Sequence, residues 1–167
     1  MPHPFRVLFV CTGNSARSQM AEALLAARGA GRFAVQSAGS QPAGRVSRRS
    51  VAALADLGID WSGKTPRGLA GLEQEPWDLV VTVCDSARQA CPVFTGARAV
   101  AHWDLADPMD ALGTEEEVRQ AFHRTRDTIA GLIERLIALP VEALPPPELV
   151  RQVNAMGAEL GRPRQAS

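Results

Sequence analysis

Seven consecutive residues near the amino terminus have the composition of an oxyanion-binding loop with a nucleophile at its start. The segment runs Cys11-Thr12-Gly13-Asn14-Ser15-Ala16-Arg17 and follows a short apolar, β-branched run, FRVLFV. A loop that leaves a strand and enters a helix directs several peptide N–H groups at one point, and the helix N-terminus adds partial positive charge. Arg17 adds a planar, permanently charged fork that suits two oxygens of a tetrahedral oxyanion. The loop therefore predicts an anion-binding site.

The same surroundings predict that Cys11 is a nucleophile. Positive potential at a helix N-terminus and from an arginine lowers the pKa of a thiol, so we expect a thiolate at neutral pH. We expect Ser18 to donate a hydrogen bond to the sulfur, Asn14 to hold the loop through its amide, and Gly13 to let the backbone curl without steric cost. The alternative is a buried, unreactive cysteine beside an unrelated helix. The order strand, cysteine, glycine, arginine and helix argues against it.

Strand and helix patterns alternate along the chain and must position this loop. Buried strands are predicted at Phe5–Val10, Phe33–Ser37, Trp77–Val83 and, more weakly, Arg98–His102. Helices are predicted at Ser18–Arg28, Val46–Leu57 and about Thr114–Leu139, the last with Thr114 as its N-cap. This order predicts an α/β fold, a three-layer sandwich with a central four-stranded parallel sheet and helices on both faces. The phosphate-binding-type loop then follows the first strand, at the carboxyl edge of the sheet.

The chain changes character beyond Pro140, which predicts a domain over 1–140 and an appended segment over 141–167. Leu144–Pro147, with three consecutive prolines, is expected to form a stiff extended linker. Five apolar residues at helical spacing then predict a short amphipathic helix: Leu149, Val150, Val153, Met156 and Leu160. Such a helix can pack back on the domain or form a dimer or partner contact, and the sequence leaves both open. We expect a monomer.

Composition excludes several classes of function. The formal net charge of this chain of 167 residues is zero, so no basic field indicates a nucleic-acid partner. No apolar run approaches the roughly 18 to 20 residues that span a bilayer, and the amino terminus is too quickly polar for a secretory signal. We therefore expect a cytoplasmic protein with no membrane partner. Three cysteines, an odd number, favour catalytic or redox use over a disulfide framework.

The segment CTGNSARSQMAEA after a β-strand resembles the low-molecular-weight protein tyrosine phosphatase family, and more closely its thioredoxin-coupled arsenate reductase branch. The resemblance runs from about Phe5 to Leu139. It includes Ser37-Ala38-Gly39, Val80–Cys84, Cys91-Pro92, His102-Trp103, Asp107-Pro108 and the F-x-R-x-R-D pattern at 122–127. It implies reduction of arsenate to arsenite, with phosphate and sulfate as competing oxyanions, thioredoxin as the partner and no bound organic cofactor.

The resemblance gives each of the three cysteines a role. Cys11 attacks arsenic while Asp107 protonates the departing oxygen, and Cys84 then attacks Cys11 to form a disulfide. Cys91 moves that disulfide to Cys84–Cys91, where thioredoxin reduces it. The pattern itself places Cys84 after the Trp77–Val83 strand, at the sheet edge that carries Cys11. A helix between Cys84 and Cys91 would separate their Cα atoms by about 10 Å. A disulfide spans at most about 7 Å, so the intervening segment would have to unwind.

Two other functions stay open on the sequence. A tyrosine phosphatase would need only Cys11, Arg17 and Asp107, although the chain has no tyrosine and Met109 stands where such phosphatases carry an aromatic residue. A non-catalytic redox sensor would use the disulfide as a switch, and the intact set of cysteine, arginine and aspartate argues against it. A three-cysteine zinc site is disfavoured because the spacings do not fit paired ligands and no histidine is adjacent.

The sequence departs from the family pattern at two places near the loop. Ala16 stands where many of these reductases carry an extra cysteine, which is not one of the three thiols that the relay needs. Some members bind potassium beside the loop, and Asn14, Glu22 and Ser37 match that ligand set. Arg67 stands at the position of the remaining aspartate ligand, and a guanidinium repels a cation. We therefore predict no metal site.

Overall fold

A computed structural model of the protein describes residues 3–83 and 93–161. The strands of this part are β1 Phe5–Cys11, β2 Phe33–Gly39, β3 Leu79–Thr82 and β4 Val100–His102. The α-helices are α1 Arg17–Arg28, α2 Arg48–Ala55, α3 Glu115–Ala138 and α4 Pro146–Leu160, and a short 3-10 helix spans Pro108–Asp110. Every strand and helix predicted from the pattern is present, with ends that differ by no more than two residues.

The four strands form one parallel sheet in the order β2-β1-β3-β4. Cys11, the last residue of β1, pairs with Gly39 of β2, and Val10 pairs with Thr82 of β3. Because the strands are parallel, their carboxyl ends lie along one edge, where α/β proteins bind ligands. The topology therefore places Cys11 in the middle of that edge.

Helices cover the sheet, so its strands are apolar on both faces. Residues 7–11 of β1 and all of β3 are buried, which is typical of a parallel sheet between helical layers. Helix α1 contacts β1, β2 and α3, and α2 also packs on α3. The predicted three-layer α/β sandwich with a four-stranded parallel sheet is confirmed.

Helix α3 begins as its sequence predicts. The Thr114 hydroxyl accepts from the Glu117 N–H at 3.1 Å, and the Glu117 carboxylate accepts from the Thr114 N–H at 3.2 Å. This reciprocal pair is a capping box and satisfies two peptide donors at the helix start. Three glutamates in the first turn, at 115–117, lie at the positive end of the helix dipole.

The carboxyl-terminal helix differs from its prediction at the start. Helix α4 begins at Pro146, so Pro146 and Pro147 form its first turn and do not belong to an extended linker. Proline is tolerated there because the first turn needs no N–H donors. The predicted apolar stripe buries Leu149, Val153 and Met156, and the helix packs back on β4 and α3. The domain boundary at residue 140 stays a prediction. None of the helices in the described ranges is both long and apolar enough to cross a membrane.

Candidate active site

The loop between β1 and α1 is held from its outer side by the segment that connects β2 to α2. Four carbonyl oxygens of the loop accept backbone hydrogen bonds of 2.8–3.1 Å. The acceptors are Cys11, Thr12, Gly13 and Ser15, and the donors are the N–H groups of Ser40, Gln41, Ala43 and Ser47. In a trans peptide the C=O and the N–H point in opposite directions. The N–H groups of these peptide units therefore face the inner side of the loop, as an anion site requires.

The Cys11 sulfur lies on this inner side and is almost entirely buried, with 2% of the residue exposed. The Asn14 N–H donates to Sγ at 3.1 Å, and the Ser18 hydroxyl lies 2.8 Å from Sγ. Hydrogen-bond donors at these distances stabilise a thiolate over a thiol. The geometry agrees with the predicted role of Ser18.

The Asn14 side chain ties the loop to three other parts of the chain. Its amide nitrogen donates to Ser18 Oγ at 2.8 Å and to Ser37 Oγ at 2.9 Å. Its amide oxygen accepts from Gln19 Nε2 at 2.9 Å and from the Arg67 N–H at 2.8 Å. Asn14 is fully buried, and both ends of its amide are satisfied. The side chain therefore holds the loop in shape, which is the role predicted for it.

This network leaves the Ser18 hydroxyl free to donate to the sulfur. Ser37 Oγ donates to the Glu22 carboxylate at 2.6 Å, so its oxygen accepts from the Asn14 amide. The second N–H of that amide donates to Ser18 Oγ. The hydroxyl hydrogen of Ser18 is then available for Cys11 Sγ. A continuous series of hydrogen bonds thus links the sulfur to the Glu22 carboxylate on α1, and the Asn14 amide nitrogen donates towards both ends of it.

The glycine that the loop requires is Gly39, not Gly13. The left-handed residue of the loop is Asn14, with φ of 51°, while a Cβ added to Gly13 would have no neighbour closer than 3.9 Å. The expectation that Gly13 provides the curl is therefore wrong. A Cβ on Gly39 would lie 2.5 Å from Thr12 O and 2.9 Å from Asn14 N. This contact was not predicted from the sequence, although Gly39 is part of the Ser37-Ala38-Gly39 motif.

Arg17, the first residue of α1, joins the loop to the segment after β4. One guanidinium nitrogen donates to Leu105 O at 3.0 Å, and the other lies 2.9 Å from the Asp107 carboxylate. The second Asp107 oxygen accepts from the Met109 N–H at 2.9 Å, which begins the short 3-10 helix. The fold therefore brings Arg17 and Asp107 together from positions far apart in sequence. The Asp107 side chain, 27% exposed, stays open to solvent.

A cleft of about 1290 Å³ adjoins the loop at Ser15 and reaches Met109 on its far side. Its walls carry four arginines and three carboxylates, together with His123. The arginines are Arg45, Arg48, Arg49 and Arg119. Two of these arginines form ion pairs within the cleft, Arg49 with Glu115 and Arg119 with Glu116, so the excess of positive charge beside the loop is small.

Comparison with known proteins identifies the family. The chain matches the low molecular weight phosphotyrosine protein phosphatase family over residues 6–145. It belongs to this family. The "Arsenate reductase" of Halalkalibacterium halodurans is 38% identical over 128 residues, which cover 77% of this chain and 91% of that protein. The "Glutaredoxin arsenate reductase" of Synechocystis is 32% identical over 80% of this chain and 96% of that protein.

A solved structure described as an arsenate reductase in the phosphate-binding state is similar in fold, with a TM-score of 0.68 and 32% identity. The match covers 80% of this chain and 96% of that one. The family resemblance inferred from the motifs is confirmed, and with it the arsenate reductases as relatives. The family also includes phosphatases, so membership alone does not select the reaction.

Two of the three cysteines expected in a family relay, Cys84 and Cys91, lie outside the described residues. The described chain reaches Val83, which directly precedes Cys84 in sequence. The Val83 N–H donates to Val10 O at 2.8 Å, and Val10 is the residue before Cys11. The strand that leads to Cys84 is therefore bonded to the strand that carries the nucleophile.

Glu22, one of the residues that match the expected potassium ligands, lies near two cationic side chains. Burial raises the pKa of the Glu22 carboxyl, while the Ser37 hydroxyl and the charges of Arg67 and Lys64 act in the opposite direction. Both cations are thus close enough to Glu22 to affect its titration. The described residues contain no group of three or more histidine, cysteine or acidic side chains arranged for a metal. That no metal binds beside the loop stays a prediction, and the charges of Arg67 and Lys64 favour it.

Proposed function

We propose that this protein is an arsenate reductase that works by a relay of three thiols: Cys11, Cys84 and Cys91. The observation that carries the proposal is the pairing of β3 with β1. The Val83 N–H donates to Val10 O, and these two residues directly precede Cys84 and Cys11 in the sequence. The sequence relatives that are arsenate reductases support the same reaction. Such a relay needs no bound organic cofactor, and its thiols need a reducing compartment, which favours the cytoplasm.

Arsenate would bind with its oxygens at the inward N–H groups of the loop and at the Arg17 guanidinium. Asn14 N–H and Ser18 Oγ hold the Cys11 sulfur in place, so the thiolate faces the bound anion. The sulfur attacks arsenic, and an arsenic–sulfur bond forms as one arsenic–oxygen bond breaks. Asp107 gives a proton to the departing oxygen, which leaves as water. Phosphate and sulfate would compete for the same donors because they are also tetrahedral oxyanions.

The next step transfers two electrons. The Cys84 thiolate attacks the Cys11 sulfur, a Cys11–Cys84 disulfide forms, and the bonding pair of the sulfur–arsenic bond stays on arsenic. Arsenic leaves as arsenite, reduced by those two electrons. The Cys91 thiolate then attacks Cys84, and Cys11 departs as a thiolate ready for the next arsenate. The net change in the protein is oxidation of two thiols to the Cys84–Cys91 disulfide.

A dithiol protein would return the enzyme to its reduced state. We propose thioredoxin, whose reduced dithiol donates two electrons to a protein disulfide by thiol–disulfide exchange and is itself oxidised to a disulfide. The relative from Synechocystis carries glutaredoxin in its name, so glutaredoxin with glutathione is the alternative reductant. The two are told apart by supplying each with its own reductase and NADPH.

The test compares serine variants of the two later cysteines in a single turnover and at steady state. Cys91→Ser should release about one equivalent of arsenite and then stop, because its Cys11–Cys84 disulfide cannot move on. Cys84→Ser should release none, because its arsenic adduct has no resolving thiol. Wild type should turn over continuously with thioredoxin, and arsenite is counted by chromatography with mass detection of arsenic.

Two controls make this result decisive. Cys11→Ser should abolish every activity, whereas both later variants should still bind phosphate like wild type. Continuous thioredoxin-dependent turnover by Cys84→Ser, or absence of turnover by wild type with either reductant, contradicts the proposal.

A phosphatase is the second candidate, and the contact between Arg17 and Asp107 favours it. That pair and Cys11 are sufficient for hydrolysis of a phosphate monoester, with water as the second nucleophile. In this case hydrolysis of p-nitrophenyl phosphate should survive both Cys84→Ser and Cys91→Ser and disappear in Cys11→Ser. The same three variants therefore separate the two functions.

A further inference from the structure

Helix α4 lies beyond the part of the chain that the family shares. The family match ends at residue 145, and α4 begins at Pro146. The helix nevertheless packs on β4, the edge strand of the sheet, and on α3. Its contacts therefore add something to the shared fold.

Helix α4 contacts the last residue of β4, His102, and the residue that follows it, Trp103. The Trp103 indole N–H donates to Val153 O at 2.9 Å, and the His102 N–H donates to the Asn154 side chain at 2.8 Å. A Cβ on Gly157 would lie 2.4 Å from the Trp103 ring and 3.3 Å from His102 O. The helix backbone thus lies directly against the Trp103 ring.

The chain that follows Trp103 carries both partners of Arg17, which are Leu105 and Asp107. Residues 103–107 belong to no strand or helix, so contacts with neighbouring elements must hold them. On the inner side Leu105 O and the Asp107 carboxylate contact the Arg17 guanidinium. On the outer side a Cβ on Gly161, the residue after α4, would lie 2.7 Å from Asp104 O. The segment is held between Arg17 and the carboxyl-terminal end of α4.

We propose that α4 is a positioning element of the active site. It packs against the segment 103–107 and holds it close to Arg17, so that the guanidinium and the Asp107 carboxyl are placed to contact the bound oxyanion. Gly157 and Asn154 are its positioning residues, and neither touches the substrate. This inference rests on the roles proposed above for Arg17 and Asp107. A displacement of about 1 Å in such a site can cost about 100-fold in rate.

The test changes the helix surface and measures the distant site. Gly157→Ala should push the Trp103 ring away, weaken binding of inorganic phosphate by about 10-fold or more and lower kcat/KM for arsenate by about 10- to 100-fold. It should also shift the limb of the pH profile that Asp107→Asn removes, which a mere loss of folded protein would not do. Gly131→Ala is the matched control, since its Cβ would meet Leu160 at an ordinary 3.6 Å.

The remaining outcomes also decide the question. If Gly157→Ala is folded by circular dichroism and keeps the phosphate affinity and pH profile of wild type, the proposal is wrong. If Gly157→Ala does not fold, Asn154→Ala decides instead, because that change removes a single hydrogen bond from an exposed residue. Asn154→Ala should weaken phosphate binding severalfold. An Asn154→Ala protein with the phosphate affinity of wild type overturns the proposal. Phosphate binding is measured by calorimetry and needs no reductant, so a protein that fails to reduce arsenate still tests α4.

Discussion

Replacing Gly39 by alanine should damage the oxyanion loop more than any change of similar size elsewhere in the sheet. Gly39 pairs with Cys11 across β1 and β2, so its Cα faces the start of the loop. An alanine Cβ would lie 2.5 Å from Thr12 O, 2.9 Å from Asn14 N and 3.0 Å from Gly13 C. All three neighbours are backbone atoms, which cannot turn away as the end of a flexible side chain can.

The size of the effect follows from these distances. A carbon and a carbonyl oxygen in favourable contact are about 3.3 Å or more apart, so Thr12 O must retreat by about 0.8 Å. Thr12 O is also held by the Gln41 N–H at 2.8 Å, and the shift strains that bond. Overpacking of this kind costs about 1–3 kcal/mol of the free energy of unfolding. A shift of nearly 1 Å in the loop predicts a loss of about 100-fold in kcat/KM.

The assay measures phosphate affinity by calorimetry, arsenate turnover with thioredoxin, and the free energy of unfolding in urea. Gly68→Ala is the matched control, because Gly68 forms a parallel bridge with Gly39. Its Cβ would meet only Pro42, at 3.7 Å. We expect that control to keep the phosphate affinity of wild type. A folded Gly39→Ala protein that binds phosphate as tightly as Gly68→Ala would refute the reasoning.

Two further predictions concern the hydrogen bonds behind the nucleophile. Ser18→Ala removes the hydroxyl that lies 2.8 Å from Cys11 Sγ. A hydrogen bond to a charged group is worth about 1.5–3 kcal/mol. The pH midpoint for alkylation of Cys11 by iodoacetamide should therefore rise by about one to two units. Peptide mass spectrometry follows the reaction, Ser15→Ala is the control, and an unchanged midpoint contradicts the assigned donor. Burial raises the pKa of Glu22 in the folded protein, with the Ser37 hydrogen bond opposing, so the native state binds its proton more tightly than the unfolded chain. Stability should therefore fall as pH rises from about 4.5 through the raised pKa, and Glu22→Gln should lack this slope in urea titrations; an identical slope refutes the assignment.

Local patterns in the sequence were enough to predict the elements that carry the site. The apolar run before Cys11 and the helix that follows Arg17 are set by residues within a few positions of each other. The same holds for the start of α3, where Thr114 and Glu117 are three residues apart and form both bonds of the capping box. Such features depend on short-range geometry, which spacing in the sequence records directly.

Features that depend on distant segments were missed or misplaced. Gly13 was the natural candidate for the curl of the loop, but the close approach that demands a glycine comes from Gly39 on the neighbouring strand. Arg67 was predicted to act only through its charge, yet its backbone N–H also holds the Asn14 amide oxygen. No spacing rule reveals such contacts, because they arise only after β2 and its connection to α2 lie against the loop.

The environment of the nucleophile is therefore a product of the whole fold and not of the loop. Asn14 depends on a donor 53 residues away, and Arg17 is held by a carbonyl 88 residues away. Until the sheet has assembled, the loop lacks the bonds that turn its carbonyls outwards and its N–H groups towards Cys11. Oxyanion affinity should consequently appear together with the native sheet, because binding to the native state alone stabilises that state by mass action. Phosphate should therefore raise the unfolding midpoint of wild type and have much less effect on Gly39→Ala.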